Sequence, residues 1–84
     1  MYKQIGNKVA YYRKLRNLTQ DELADRVNIS VSSLSKLERG KYNNNIPLSM
    51  LIMIAEGLRI DVSILVTFDE REKLLEFDQI NRAD

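Results

Sequence analysis

Two signals for the start of a helix lie only eleven residues apart in this chain, at Thr19 and at Ser30. In the run Thr-Gln-Asp-Glu, the Thr19 hydroxyl can accept from the Glu22 amide while the Glu22 carboxylate reaches back to the Thr19 amide. Ser30 can cap a second helix, and Gly40 suits the position that follows a helix end. This segment is therefore predicted to hold two short helices joined by a tight turn.

The two short helices are expected over about 20–27 and 31–39, with residues 28–30 between them. That spacing is typical of the helix-turn-helix motif. Its first helix spans the DNA backbone and braces a second helix, whose N-terminal residues can enter the major groove. The small side chain of Ala24 suits the close crossing of the two helices, and we expect Ile29 to anchor the turn in the core.

Apolar spacing predicts further helices on both sides of this motif. Intervals of three and four residues place one set on a single face of a first helix: Ile5, Val9, Tyr12, Leu15 and Leu18. Gly6 weakens this helix, marks close packing, or lies just after the start of the helix. Pro47 suits the first turn of a fourth helix. We expect that helix to be almost entirely buried, through Leu48, Leu51, Ile52, Ile54, Ala55 and Leu58.

A fifth short helix is expected to be capped by Asp61, to run to about Val66 and to be anchored by Ile64 and Leu65. A further cap signal at Asp69 precedes apolar residues that could form an amphipathic last helix: Leu74, Leu75, Phe77 and Ile80. The predicted fold is all-α, with five compact helices in residues 1–66 and a C-terminal extension in residues 67–84.

The composition excludes several classes of site. An 84-residue chain is expected to form one domain, and with neither Cys nor His it cannot form disulfides, thiolate nucleophiles or Cys/His zinc sites. We interpret the carboxylates as caps and a solvated acidic face, so no metal, cofactor or catalytic residue is expected. The apolar stretch 46–55 is about half of the ~20 residues that a membrane span needs. Without a signal peptide either, the sequence predicts a cytoplasmic protein.

Charge is distributed unevenly along the chain. Residues 1–41 hold nine Lys and Arg against four acidic side chains, whereas residues 42–84 hold four against eight. The net charge of +1 is weak evidence for nucleic-acid binding by itself. This uneven distribution of charge is what we expect if one part of the chain faces phosphates and the other does not.

Residues 18–24 and 29–40 closely resemble the phage-repressor/Cro class of helix-turn-helix domains, often called the XRE family. The resemblance covers about residues 4–66. It implies a five-helix domain that binds double-stranded DNA as a homodimer on a palindromic or near-palindromic operator, and so a sequence-specific transcriptional regulator rather than an enzyme. Because the sequence has no separate ligand domain, a small-molecule ligand is not expected.

The resemblance also implies roles for individual residues. Base-edge contacts fall on Val31, Ser32 and Lys36, with Ser33 and Ser35 beside them able to touch bases or phosphates. Phosphate contacts fall on Gln20, Arg39, Lys41, Tyr42 and Asn43. Arg13 and Glu38 match an ion pair that ties the first helix to the end of the reading helix, so Arg13 is expected to have a structural role.

Two features leave alternatives open. The loop 41–47 is longer than the common family pattern, so its Asn side chains could bind phosphates or only satisfy turn geometry. The dimer interface is expected on apolar side chains of the fourth and fifth helices, and the apolar residues of the C-terminal extension could join it or dock on their own domain. An alternative function is an antitoxin or another protein-interaction module in which DNA binding is secondary.

Overall fold

Five helices form the part of the chain that the computed structural model describes, which comprises residues 2–42 and 46–67. They are α1 (Tyr2–Leu15), α2 (Gln20–Arg26), α3 (Val31–Glu38), α4 (Leu48–Leu58) and α5 (Val62–Val66). Within these two ranges there is no strand, so the predicted all-α fold is confirmed. Asn43 and the predicted last helix with Leu74, Leu75, Phe77 and Ile80 lie outside the described residues.

All five helices contribute to one apolar core. Its buried members are Ile5, Val9, Leu23, Ala24, Val27, Leu34, Leu37, Leu51, Ile54, Ala55, Leu58 and Leu65. Each large side chain in such a core contributes about 1.5–3 kcal/mol through burial. Because helices as short as α2 and α3 are marginal in isolation, their stability must come mainly from this packing. The helix-turn-helix therefore depends on α1 and α4 for its shape.

The first helix differs from its prediction at both ends. It begins at Tyr2, ahead of the apolar pattern that starts at Ile5. Leu15 was expected on the core face, which is wrong, because 55% of its surface is exposed. Leu15 is the last residue of α1, and the chain then turns through Asn17, whose φ of 59° is left-handed. This turn returns Leu18 to the core, where it is partly buried, and leaves Leu15 outside.

The fourth helix is also more exposed than its composition suggests. Leu48 is 62% exposed and Ile52 39%, so the prediction of a nearly buried helix is wrong. The helix packs through one face, with Leu51, Ile54 and Leu58 directed into the core formed with α1, α2 and α5. Apolar residues on both faces of a helix do not reveal which face its neighbours cover.

The carboxyl end of α4 is held by two arginines from other helices or their ends. Arg16 Nε donates to the Leu58 carbonyl at 2.9 Å, and Arg26 Nη1 donates to the Gly57 carbonyl at 3.2 Å. The last carbonyls of a helix have no partner within the helix, so these cations satisfy acceptors that would otherwise need water. The contacts fix α4 against the ends of α1 and α2.

Candidate nucleic-acid interface

The capping box that begins α2 is confirmed. Thr19 Oγ1 accepts from the Glu22 amide at 3.1 Å, and the Thr19 amide donates to Glu22 Oε1 at 2.8 Å. The Thr19 backbone amide first, and then the Thr19 side chain, hydrogen-bond the Glu22 carboxylate and hold its pKa below the ordinary value of 4.5, because they favour the ionised form. The start of α2, with Gln20 as its first residue, is therefore set by local chemistry.

The turn between the two short helices is equally well defined. Asn28 adopts a left-handed φ of 60°, and the Ile29 amide donates to the Ala24 carbonyl at 3.0 Å, which closes the end of α2. Ser30 then caps α3 as predicted, because its Oγ accepts from the Ser33 amide at 3.0 Å. Gly40 follows the end of α3 as predicted, and its φ of 69° is left-handed.

Burial divides α3 into an inner and an outer face. Leu34 and Leu37 are fully buried and anchor the helix, as predicted. The outer face carries Val31, Ser32 and Lys36, all exposed. Ser32 and Lys36 are four residues apart and so share one helix surface. This face is short and built of small side chains with one cation, which allows another molecule to approach the helix closely.

The two serines predicted beside this face are less available. Ser33 is half-buried, and its hydroxyl oxygen accepts a hydrogen bond from Ser30 Oγ at 2.8 Å, so this oxygen is already bonded to the capping residue. Ser35 is also half-buried. The structure therefore brings all five candidate base contacts onto one short helix but presents three of them more openly than the other two.

The candidate phosphate contacts are placed in different ways. Arg39 and Lys41 are exposed just after α3. Tyr42 is partly buried and packs against the core. Gln20 is half-buried, and its Nε2 donates to Glu38 Oε1 at 3.0 Å. Asn43 lies outside the described residues. Arg39 and Lys41 follow the carboxyl end of α3, and Gln20 is bonded to Glu38 at that same end.

Arg13 and Glu38 form an ion pair between α1 and the last residue of α3. Arg13 Nε lies 2.7 Å from Glu38 Oε2 and Nη2 donates to Oε1 at 3.0 Å, a two-bond geometry that fits the planar guanidinium. Arg13 Nη1 donates to the Leu18 carbonyl at 2.7 Å. All three guanidinium nitrogens are thus engaged within the protein.

The bond from Gln20 to Glu38 is the part of this network that sequence reasoning did not find. Gln20 was assigned to phosphate and Glu38 to Arg13 alone, and nothing in the spacing of residues 18 positions apart links the two. The bond depends on tertiary structure alone, because it forms only when α2 and α3 pack beside each other.

Residues 2–42 and 46–67 hold neither a cluster of metal-ligating side chains nor a membrane-spanning helix. The described residues hold no group of three or more acidic side chains arranged to bind a metal ion. No helix among residues 2–42 and 46–67 is long and apolar enough to cross a membrane.

Comparison with known proteins places the chain in a family. A family model described as helix-turn-helix, HTH_3, matches residues 9–65. An uncharacterised HTH-type transcriptional regulator from Methanocaldococcus jannaschii is 36% identical over 64 residues, which are 76% of this chain and 97% of that protein. The immunity repressor protein of Bacillus phage phi105 is 42% identical over 62 residues. That match covers 74% of this chain but only 42% of the longer phage protein.

Solved structures agree with these relatives. The crystal structure of SinR, described as the master regulator for biofilm formation, in complex with DNA superposes with a TM-score of 0.70 at 28% identity, covering 75% of this chain and 98% of the chain in that structure. The named relatives are transcriptional regulators and not enzymes, as the sequence predicts. The chain therefore belongs to the HTH_3 helix-turn-helix family of XRE type, and it is a transcriptional regulator with a repressor-type DNA-binding domain.

Proposed function

We propose that this regulator acts in the cytoplasm as a homodimer on a palindromic or near-palindromic operator, with α3 of each subunit in one major groove. The observation that carries the proposal is the outer face of α3, where Val31, Ser32 and Lys36 are exposed on a helix whose inner face is anchored in the core. The two half-sites would lie about one turn of DNA apart, ~34–36 Å.

Each exposed side chain of α3 suits a particular base edge. The Lys36 ammonium can donate to guanine O6 and N7, and the Ser32 hydroxyl can donate or accept. The Val31 methyl groups can contact the methyl group of thymine. Since these readers are few and small, much of the sequence preference would come from DNA shape and from the spacing between the two subunits. Ser33 and Ser35 would assist at the edge of this contact.

Phosphate contacts would orient α3 without reading sequence. Arg39 and Lys41 supply exposed positive charge at the carboxyl end of α3. Gln20 supplies a neutral donor at the start of α2, next to the carboxyl end of α3, where its Nε2 donates to Glu38 Oε1. Tyr42 and Asn43 complete the proposed set from the loop that follows. These contacts would fix the carboxyl end of α3 relative to the DNA backbone.

The homodimer is supported by apolar side chains on the outer surface of α4 and α5. Leu48 and Ile52 lie on successive turns of α4 and are exposed, and Val66 is exposed on α5, which packs against α4. Apolar patches on a small protein mark sites where another surface binds. A two-fold axis through this region would pair identical surfaces and present two copies of α3 to one face of DNA. Leu74, Leu75, Phe77 and Ile80 stay candidate additions to the interface.

Selection of binding sites from random duplex DNA tests the proposal, with the unsubstituted protein, Lys36→Ala and Lys41→Ala compared in parallel. The unsubstituted protein should enrich an inverted repeat. Lys36→Ala should relax the preference at one position of each half-site, with a cost of about 1–3 kcal/mol for that base pair. Lys41→Ala is the matched control, since loss of a phosphate contact should weaken all duplexes about equally and reduce the salt dependence.

The contrary outcome is equally clear. If selection gives no consensus and Lys36→Ala weakens every duplex to the same extent, Lys36 contacts the backbone and α3 does not read bases as proposed. If a consensus without inverted symmetry is enriched, the homodimeric arrangement on a palindrome is wrong.

A further inference from the structure

We infer that Glu38 is a positioning residue for DNA binding: it turns the side-chain amide of Gln20 so that the nitrogen, and not the oxygen, is presented to a backbone phosphate. The inference rests on the proposed contact between Gln20 and a phosphate, and it gives the ion pair of Arg13 and Glu38 a second task besides joining two helices.

The geometry that supports this role centres on one carboxylate oxygen. Glu38 Oε1 accepts from Arg13 Nη2 and from Gln20 Nε2, each at 3.0 Å. Glu38 Oε2 accepts from Arg13 Nε at 2.7 Å. The side chains of Arg13 and Glu38 are only 11% and 5% exposed, so water competes little for these bonds. Gln20 is thus held by an acceptor that is itself held in place.

The chemistry of an amide makes this contact directional. The two ends of a glutamine amide are nearly equal in shape, but the oxygen only accepts hydrogen bonds and the nitrogen only donates them. A carboxylate paired with a guanidinium is an acceptor, so the end of Gln20 that faces Glu38 must be Nε2. Nε2 carries two hydrogens, and the bond to Glu38 uses one of them.

The second hydrogen of Nε2 is the one that can form a hydrogen bond to a phosphate oxygen. Phosphate oxygens, like the carboxylate, have no proton to donate, so an amide turned the other way would place oxygen against oxygen at both contacts. Glu38 excludes that orientation before DNA arrives. A side chain already set in its bound orientation loses less conformational freedom on binding, which strengthens the contact.

The same network also links this contact to the reading helix. Glu38 is the last residue of α3, Gln20 is the first residue of α2, and Arg13 Nη1 holds the Leu18 carbonyl just ahead of the α2 cap. The buried Glu38 carboxylate therefore holds the proposed phosphate donor, Gln20, and itself forms the carboxyl end of the base-reading helix. A change at position 38 should alter how Gln20 contributes to binding as well as the stability of the fold.

A double-mutant cycle between Gln20 and Glu38 tests the inference. Binding to a short duplex of mixed sequence at low ionic strength is measured for the full chain, Gln20→Ala, Glu38→Ala and the double variant, with Kd corrected for the folded fraction. The operator is not needed, because backbone contacts do not depend on sequence. Gln20→Ala should raise Kd about tenfold, as expected for one hydrogen bond to a charged group. In the Glu38→Ala background the same substitution should add less than about twofold.

Two further variants separate positioning from simple structural support. Arg13→Lys removes the two-bond geometry of the ion pair but keeps a cation beside Glu38, so the carboxylate stays an acceptor for Gln20 and Gln20→Ala should still raise Kd about tenfold in that background. Glu38→Gln keeps the shape of the side chain if Glu38→Ala does not fold. The amide introduced by Glu38→Gln can donate as well as accept, so it no longer dictates the orientation of Gln20. The effect of Gln20→Ala should therefore be smaller than in the unsubstituted protein.

The possible results are distinguishable. An equal effect of Gln20→Ala with and without the Glu38 carboxylate would overturn the positioning role while the proposed phosphate contact survived. No effect of Gln20→Ala in the unsubstituted protein would remove the phosphate contact and the inference together. Failure to select an operator would overturn the base-reading proposal without changing the outcome of this cycle.

Discussion

The backbone of Gly6 lies so close to the carbonyl oxygen of Leu37 that a Cβ at Gly6 would fall 2.1 Å from that oxygen. It would also lie 2.9 Å from the carbonyl oxygen of Glu38. Both obstacles are backbone atoms at the end of α3, so neither can move aside by changing a rotamer. The absence of a side chain at Gly6 therefore allows α1 to lie directly against α3, and of the roles that the sequence left open for Gly6 the structure favours close packing.

Gly6→Ala should destabilise the protein even though Ala is the better helix former. Alanine gains up to about 1 kcal/mol in helix propensity. Forcing α1 and α3 apart should cost more than that gain, so we expect a net loss of roughly 1–2 kcal/mol in the free energy of unfolding. Urea denaturation followed by circular dichroism measures the change. Asn7→Ala, an exposed position on the same helix, is the control and should not destabilise. Equal stability of the two variants would show that the helices do not approach as closely as described.

The capping box should make stability depend on pH on the acid side. The pKa of Glu22 is lower in the folded protein than its ordinary value of 4.5 because of the bonds to Thr19. A lowered pKa means that the fold favours the ionised form, so this contribution is present above pH 4.5 and is lost as the pH falls through the folded pKa. Urea denaturation at decreasing pH should show stability falling in that range, and Glu22→Gln should flatten part of the fall.

Two comparisons sharpen the pH prediction. Thr19→Ala removes the hydroxyl but keeps the backbone amide, so the pKa of Glu22, followed by NMR, should rise only part of the way to its ordinary value. Asp61 should keep some acid dependence in the Glu22→Gln variant, because the Ser63 amide lowers the pKa of that carboxylate too. A Glu22→Gln variant with the full acid dependence of the unsubstituted protein would show that the capping box does not contribute.

Ile52→Lys should convert the proposed dimer to monomer while leaving the fold intact. The side chain is 39% exposed in the single chain, so a lysine there can reach water until a second copy covers it. Burial of an unpaired ammonium in the interface should weaken dimerisation by at least about tenfold. Sedimentation equilibrium measures the dissociation constant, and Asn7→Lys gives the same change in charge on α1 as a control. A dimer of unchanged strength would move the interface away from this face of α4.

Several elements could be predicted because their signals act over a few residues. Thr19 with Glu22, Ser30 with the amide of Ser33, and Gly40 after α3 are contacts between near neighbours, so residue types at the right intervals are sufficient. The burial of Leu34 and Leu37 follows from helical periodicity in a segment with few apolar residues. Where apolar residues are scarce, the pattern leaves only one possible inner face.

The errors arose where apolar residues are abundant or where a helix ends. Ile52 and Leu48 are apolar, as core residues are, yet α4 contacts its neighbours through the other face of the helix. Leu15 continues the spacing of α1, yet the helix stops there and the described residues leave 55% of its surface exposed. Periodicity measures how residues are arranged around a helix, but exposure depends on the other helices.

By itself, the sequence determined the helix-turn-helix, its caps and the outer face of α3, because these arise from hydrogen bonds and periodicity within short segments. Only the tertiary structure decided that Gly6 meets Leu37 and that Gln20 shares the Glu38 carboxylate with Arg13. Such contacts join residues far apart in the chain, and they exist only once α1, α2 and α3 have packed at particular distances and angles. Side-chain type specifies which bonds a residue can make, whereas packing selects the partner.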